Sequence, residues 1–359
     1  MHIGTGFLFH VASSAPDPHG FAEQASLIEQ SETLGFESIW TSDHAFSRYQ
    51  TSPNAGQLLA WLAGRTRHAL IGSIVSLESW HNPIRIAESL AALDLLSEGR
   101  AIFGVGRGLG PIDFEGLQGG NVESGPRIVE YVRAIVGALE TGILSSPGPL
   151  YKQPPVSIYP RARLSFQGRM YAMIDSPASA RAMAALGFGP LMIANKPWEA
   201  VLTEAREYAE LFESIHNRVA PPPVLLSLTS VDADPARARA WHDAYAAPYG
   251  CQTIDQGGLA EVCGTSKAQG VYQRLRFMKD LQFHGTPLQV VEASIERARS
   301  LDAAALINIL AMDGMPAEVA RRNLVTYARD VLPRLKAIDA HRTIGRAPRQ
   351  PSAASEMAL

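Results

Sequence analysis

Four short segments of this chain hold the residues best suited to chemistry. They read Thr41-Ser42-Asp43-His44, Glu78-Ser79-Trp80-His81-Asn82, Gly104-Val105-Gly106-Arg107-Gly108-Leu109-Gly110 and Asp175-Ser176-Pro177-Ala178-Ser179. His44 carries an imidazole, a side chain whose unperturbed pKa of about 6.5 suits a general acid or base; His10 and His81 occupy comparable places and are weaker candidates. In the third segment glycines alternate around one Arg, so a ligand can approach the backbone closely beside a fixed charge suited to phosphate. Its bland reading is a tight turn with a surface Arg. In the fourth, Ser176 and Ser179 stand at a helix start, where hydroxyls and free amides can hold an anion. Taken alone, N-capping is the simpler role for those two serines. Together, Arg107 and this helix start on adjacent strands would clamp one phosphate. The Asp175 carboxylate would repel phosphate, so its backbone amide or a capping role is the more reasonable contribution.

Other chemistries lack their residues. The third glycine of a G-x-G-x-x-G dinucleotide motif would fall at Leu109, and no strand with an acidic end follows about 20 residues later. No Gly-Lys-Ser/Thr phosphate loop and no nucleophile elbow are present. Asp43-His44 offers one coordination pair but no metal-ligand spacing, so no metal is expected. Cys251 and Cys263 are the only cysteines, too few for a disulfide scaffold, and a cytoplasmic setting fits. With 32 Lys+Arg against 35 Asp+Glu, no cation excess exists for nucleic acid. No apolar run approaches the roughly 18 residues of a membrane span, and Met1 to Phe9 does not read as a signal peptide.

The elements that must position these segments alternate strand and helix. Strands are expected at Ile3 to Phe9, Phe36 to Trp40, Ala69 to Leu77, Arg100 to Val105, Arg169 to Ile174, Pro190 to Ala194, Val224 to Ser230 and Ala304 to Ile309. The clearest helix is capped by Asn82, has Pro83 at its first position, places Ile86, Leu90 and Leu93 on one stripe, and stops at Gly99. Pro147 to Pro160 reads as a long loop. The last helix starts near Pro316, with Ala320, Leu324, Tyr327 and Val331 on one face. The pattern predicts a (β/α)8 TIM barrel over residues 1–341 as one domain. It expects an insertion or lid over 249–285, before the last strand-helix unit, and a disordered tail over 342–359. In such a barrel the chemistry sits at the C-terminal strand ends, where all four segments fall.

These segments together resemble the bacterial luciferase-like, flavin-dependent monooxygenase family. The matching stretches are LGFESIWTSDHAF (Leu34 to Phe46), NPIRIAESLAALDLLSEGRAIFGVGRG (Asn82 to Gly108), HGTP (His284 to Pro287) and DGMPAEVARRNLVTYARDVLPRL (Asp313 to Leu335). The resemblance implies a flavin site at the barrel mouth, with Arg107 as phosphate-binding Arg and Asp175, Ser176 and Ser179 as the second phosphate-contacting turn. It places Ser73 to Ser76 behind the isoalloxazine ring, with a non-proline cis peptide at Ile74-Val75, and makes His44 the catalytic histidine. Ala45 stands where a second His is common. Gly106 replaces the reactive cysteine some luciferases carry at that turn, so light emission is not expected.

The activity implied is oxygenation of a small organic substrate by reduced FMN and O2 through a flavin hydroperoxide, the reduced FMN coming from a separate flavin reductase. A homodimer is implied as well. The same superfamily contains deazaflavin-dependent hydride-transfer enzymes, which is the second reading; a non-catalytic flavin-binding protein is the third. No motif selects the substrate.

Overall fold

The computed structural model describes residues 1–7, 17–42, 54–75, 81–106, 124–174, 176–246, 276–277, 279–312, 314–338 and 344–345. In chain order the strands are β1 (His2–Phe7), β2 (Ser38–Thr41), β3 (Leu70–Ser73), β4 (Ala101–Val105), β5 (Ile143–Pro147), β6 (Lys152–Ser157), β7 (Met170–Met173), β8 (Gly189–Ile193), β9 (Val224–Val231), β10 (Phe283–Gly285) and β11 (Ala305–Ala311). Eight of them pair in parallel in the order β1-β2-β3-β4-β7-β8-β9-β11, and β11 closes the ring on β1. This is the expected (β/α)8 barrel. Strand β10 adds to the C-terminal end of β9, with His284 opposite Ser230. The end of the expected insertion is thus a strand; residues 247–275 lie outside the described residues.

Strands β1, β2, β4 and β9 are buried throughout, as strands with one face in the barrel interior and the other under the outer helices must be. Alternation along each strand identifies the interior. A Cβ on Gly6 would meet Ile74 Cδ1 and Ile309 Cγ1, one on Gly72 would meet the Trp40 ring, and Trp40 packs edge-on to Tyr171. These side chains share the inside of the barrel. Near its N-terminal end, Ser38 Oγ accepts from Trp40 Nε1 and pairs with His2 Nε2, each at 2.8 Å. Ile344 and Gly345, within the span expected as tail, sit there too. Ile344 is buried, and Gly345 approaches Leu70 and Ile102.

The helix Pro83–Leu96 starts as expected. Asn82 Oδ1 accepts from Ile84 N, Pro83 occupies the first turn, and Gly99 adopts a φ of 85° beyond its end. Its buried face is offset by one position from the expected stripe, however. Ala87, Ala91, Leu93 and Asp94 are buried, while Ile86 and Leu90 are half-buried. Small side chains let the helix lie close, and the larger two flank the contact. Asp94 is buried because Arg169 is. The two form an ion pair with both side chains at 0% exposure, and the guanidinium also donates to the carbonyls of Gly99, Ala101, Leu164 and Ser165.

The expected loop from Pro147 to Pro160 is instead largely an antiparallel hairpin of β5 and β6, pairing Ile143 with Ser157 and Pro147 with Lys152. Proline is tolerated because each strand has an unpaired edge. Glu130 accepts from Leu150 N and Tyr151 N and so holds the turn. The C-terminal helix carries Ala320, Leu324, Tyr327 and Val331 inward as expected, all buried. Its turn widens to a π-helix at Tyr327–Val331 before Leu332–Lys336.

Candidate functional site

At the C-terminal end of the barrel, β3 runs directly into Ile74 and Val75, and the Ile74–Val75 peptide is cis, as the resemblance implied. Ile74 N donates to Thr41 O at 2.7 Å, tying this segment to the end of β2. On its other side Ser73 Oγ donates to Gly104 O at 2.6 Å. A Cβ on Gly104 would overlap Ser73 O, and one on Gly106 would overlap Val75 Cγ2. Glycine at 104 and 106 therefore serves close packing between β4 and the Ser73–Val75 segment.

The register of β4 on β7 places Gly104 beside Tyr171 and Val105 beside Ala172. The chain leaving β4 at Gly106 thus stands next to the chain leaving β7, from which the helix Pro177–Ala185 starts. At that start Ser176 Oγ accepts from Ser179 N at 3.2 Å, and Ser179 Oγ accepts from Ser176 N at 3.1 Å. This reciprocal capping box is the simpler role foreseen for the two serines, and Ser176 remains exposed at the rim. Of the residues singled out in the sequence, Ile74, Val75, Gly106, Ser176 and Ser179 come together around this end of the barrel. His44, Arg107 and Asp175 lie outside the described residues, as do His10 and Glu78 to Trp80.

Alternation extends the interior upward to Met173 and Ile193, and Val75 joins them through its Cγ2, which lies against the inward side of Gly106. All three are half-buried, whereas the inward residues below them are sealed. These apolar ends form a floor and wall at the mouth. Three further polar groups lie at the same end: Ser42 Oγ beyond β2, in a segment singled out in the sequence but given no role there, and Asn195 Oδ1 beyond β8 and Ser230 Oγ near the end of β9, which sequence reasoning missed. Each is buried with no hydrogen-bond partner. For Ser230 the one hint was a serine recurring within the otherwise apolar strand VLLSLTSV. Beside Ser230 on β10, the His284 ring stacks on His242 with centroids 4.2 Å apart. Burial lowers both histidines, His242 to about 4, so both are neutral at pH 7. Among the described residues no group of three side chains could hold a metal ion, and no helix is long and apolar enough to cross a membrane.

Known proteins with the same architecture supply the context. The alkanal monooxygenase alpha chain of Photobacterium leiognathi is 32% identical over 132 residues, 37% of this chain and 37% of its own length. The chain spans less than two thirds of the first curated relatives it matches, from 37% to 62% of their lengths. Among solved structures, monooxygenase RslO1 from Streptomyces bottropensis aligns with a TM-score of 0.78 at 24% identity, covering 93% of this chain and 99% of its own. The oxygenating constituent of 3,6-diketocamphane monooxygenase from Pseudomonas putida, in complex with FMN, aligns at 0.72 and 17% identity, covering 93% and 98%. The coenzyme F420-dependent tetrahydromethanopterin reductase of Methanopyrus kandleri aligns at 0.69 and 18% identity, covering 94% and 100%. At these identities the structural likenesses show the fold alone. The luciferase-like monooxygenase family model matches residues 1–330, and the chain belongs to that family.

Proposed function

We propose that this chain is the oxygenase of a two-component system, which uses reduced FMN and O2 to oxygenate a small organic substrate. The observation that carries the reading is the joining of three segments at one end of the barrel. Gly106 leaves β4, the Ser176–Ser179 cap opens the helix after β7, and the Ile74–Val75 segment packs against Gly106. These features fit a flavin: a helix N-terminus for the phosphate, half-buried apolar side chains for the ring, and unpartnered polar atoms at the rim.

Within this reading Arg107 and the helix start bind the phosphate, the backbone of Ser179 and its neighbours contributing through the helix dipole. Val75, Met173 and Ile193 exclude water from the ring. His44 holds or moves a proton between substrate and solvent. Bound reduced FMN supplies the two electrons that activate O2. No nicotinamide motif is visible in the sequence, so a separate reductase delivers the reduced flavin. The relatives named as monooxygenases favour this reading, and the F420-dependent neighbour keeps deazaflavin hydride transfer as the competing one.

Rapid mixing separates them. The protein loaded with reduced FMN should consume O2 and accumulate an absorbing oxygenated species that decays with product. Selective tight binding of a reduced deazaflavin, with hydride transfer and no coupled O2 uptake, would overturn the proposal.

A further inference from the structure

We infer that Ser42 and Ser230 position the flavin by hydrogen-bonding the polar edge of its isoalloxazine ring, the edge that carries the carbonyl and imide groups. This rests on the flavin reading above. The two side chains have 1% and 0% exposure, and their hydroxyls have no partner. Buried polar groups are nearly always paired, so each such atom calls for an explanation. An absent ligand atom is one that suits both.

Their position in the ring of strands supports that explanation. The order is β1-β2-β3-β4-β7-β8-β9-β11, and the phosphate features lie at the junction of β4 and β7. Ser42 follows β2, two strands from β4 in one direction. Ser230 is on β9, two strands from β7 in the other. The pair therefore flanks, symmetrically, the wall opposite the phosphate. Ser230 faces inward because its neighbour Thr229 faces out: Thr229 Oγ1 donates to Asn308 Oδ1 at 2.9 Å, and Asn323 of the outer helix donates to Thr229 O at 2.7 Å. Ser42 continues the inward series of Ser38 and Trp40. A ring tethered at β4–β7 and laid across the mouth over Ile74 ends between the two hydroxyls. Each can donate to a carbonyl or accept from an imide N–H.

The test uses Ser42→Ala, Ser230→Ala and the double variant of the full chain, titrated with oxidised FMN and with riboflavin. Loss of each hydroxyl should weaken both ligands by about three- to tenfold, the range of a single hydrogen bond. The factor should match for the two ligands, since the hydroxyls address the ring rather than the phosphate. The melting temperature without ligand should stay the same or rise, because an unpaired buried hydroxyl is removed. A double variant that binds both flavins like the wild type overturns the inference, and so does one whose weaker binding is accompanied by a melting temperature several degrees lower. A wild-type protein that takes up no flavin overturns the inference together with the function on which it rests.

Discussion

Gly106 and Val75 are packed so closely that a single added carbon on Gly106 would occupy the place of Val75 Cγ2. A cysteine at this turn is therefore incompatible with the valine facing it. Valine has little rotamer freedom with which to yield. We expect Gly106→Cys to cost about 1–3 kcal/mol of stability, the usual penalty of overpacking, and Val75→Ala made with it to recover most of that loss. Urea denaturation of the four proteins in the cycle checks this; equal losses with and without Val75 would contradict it.

The Asp94–Arg169 pair should behave as a buried pair broken on one side. Asp94→Ala leaves the guanidinium inside the fold without its counter-charge, and we expect a loss of about 3–5 kcal/mol. Arg169 keeps its four backbone acceptors, so the protein should still fold at low temperature. A loss under 1 kcal/mol in chemical denaturation would show that the pair is solvated.

Acid should weaken the barrel through His2. Burial, aided by Lys336 and the N-terminal ammonium, holds its pKa down at about 3. The unfolded chain takes up a proton near pH 6.5, which the folded state refuses until about pH 3. Stability therefore falls as pH drops through that window, by at most about 1.4 kcal/mol per pH unit for this group. His242, lowered to about 4, acts with the same sign. Unfolding measured at pH 7 and pH 4.5 should show a smaller loss for His2→Gln than for the wild type; parallel losses would remove His2 from the account.

The proposed roles of Arg107 and His44 separate by kinetics. Arg107→Ala should weaken FMN by about 1.5–3 kcal/mol, the range of a hydrogen bond to a charged group, and should leave riboflavin unaffected. His44→Ala should bind FMN normally and turn over about 10²–10⁴ times more slowly. Unchanged FMN affinity in the first variant, or unchanged turnover in the second, removes the residue from its role.

The barrel was legible because its strands are short, largely apolar runs and its helices carry strong signals, such as Asn82-Pro83 and the stripe from Ala320 to Val331. The hairpin from Ile143 to Ser157 was hidden by prolines that usually mark loops, and are tolerated here because a two-stranded ribbon has free edges. The helix at Pro83 buries alanines rather than the larger residues beside them, which a count of bulky apolar positions does not reveal. The cis peptide at Ile74–Val75 was reached only by resemblance, since two β-branched residues give no local sign of it. Ser42 and Ser230 were unreadable as a pair for a different reason. They are distant in sequence, and only the order of strands around the ring sets them on either side of one wall.

That ring also governs how the protein can be made. Thr5 on β1 donates to Asn308 on β11, 303 residues further along. While the chain emerges from a ribosome, β1 has only β2 beside it until β11 follows. Its other edge and the glycine-lined face it turns inward stay uncovered through most of synthesis. Long-range parallel pairing of this kind is slow and exposes the chain to aggregation. Low growth temperature and abundant chaperones should therefore raise the yield of folded protein more than any stabilising surface change.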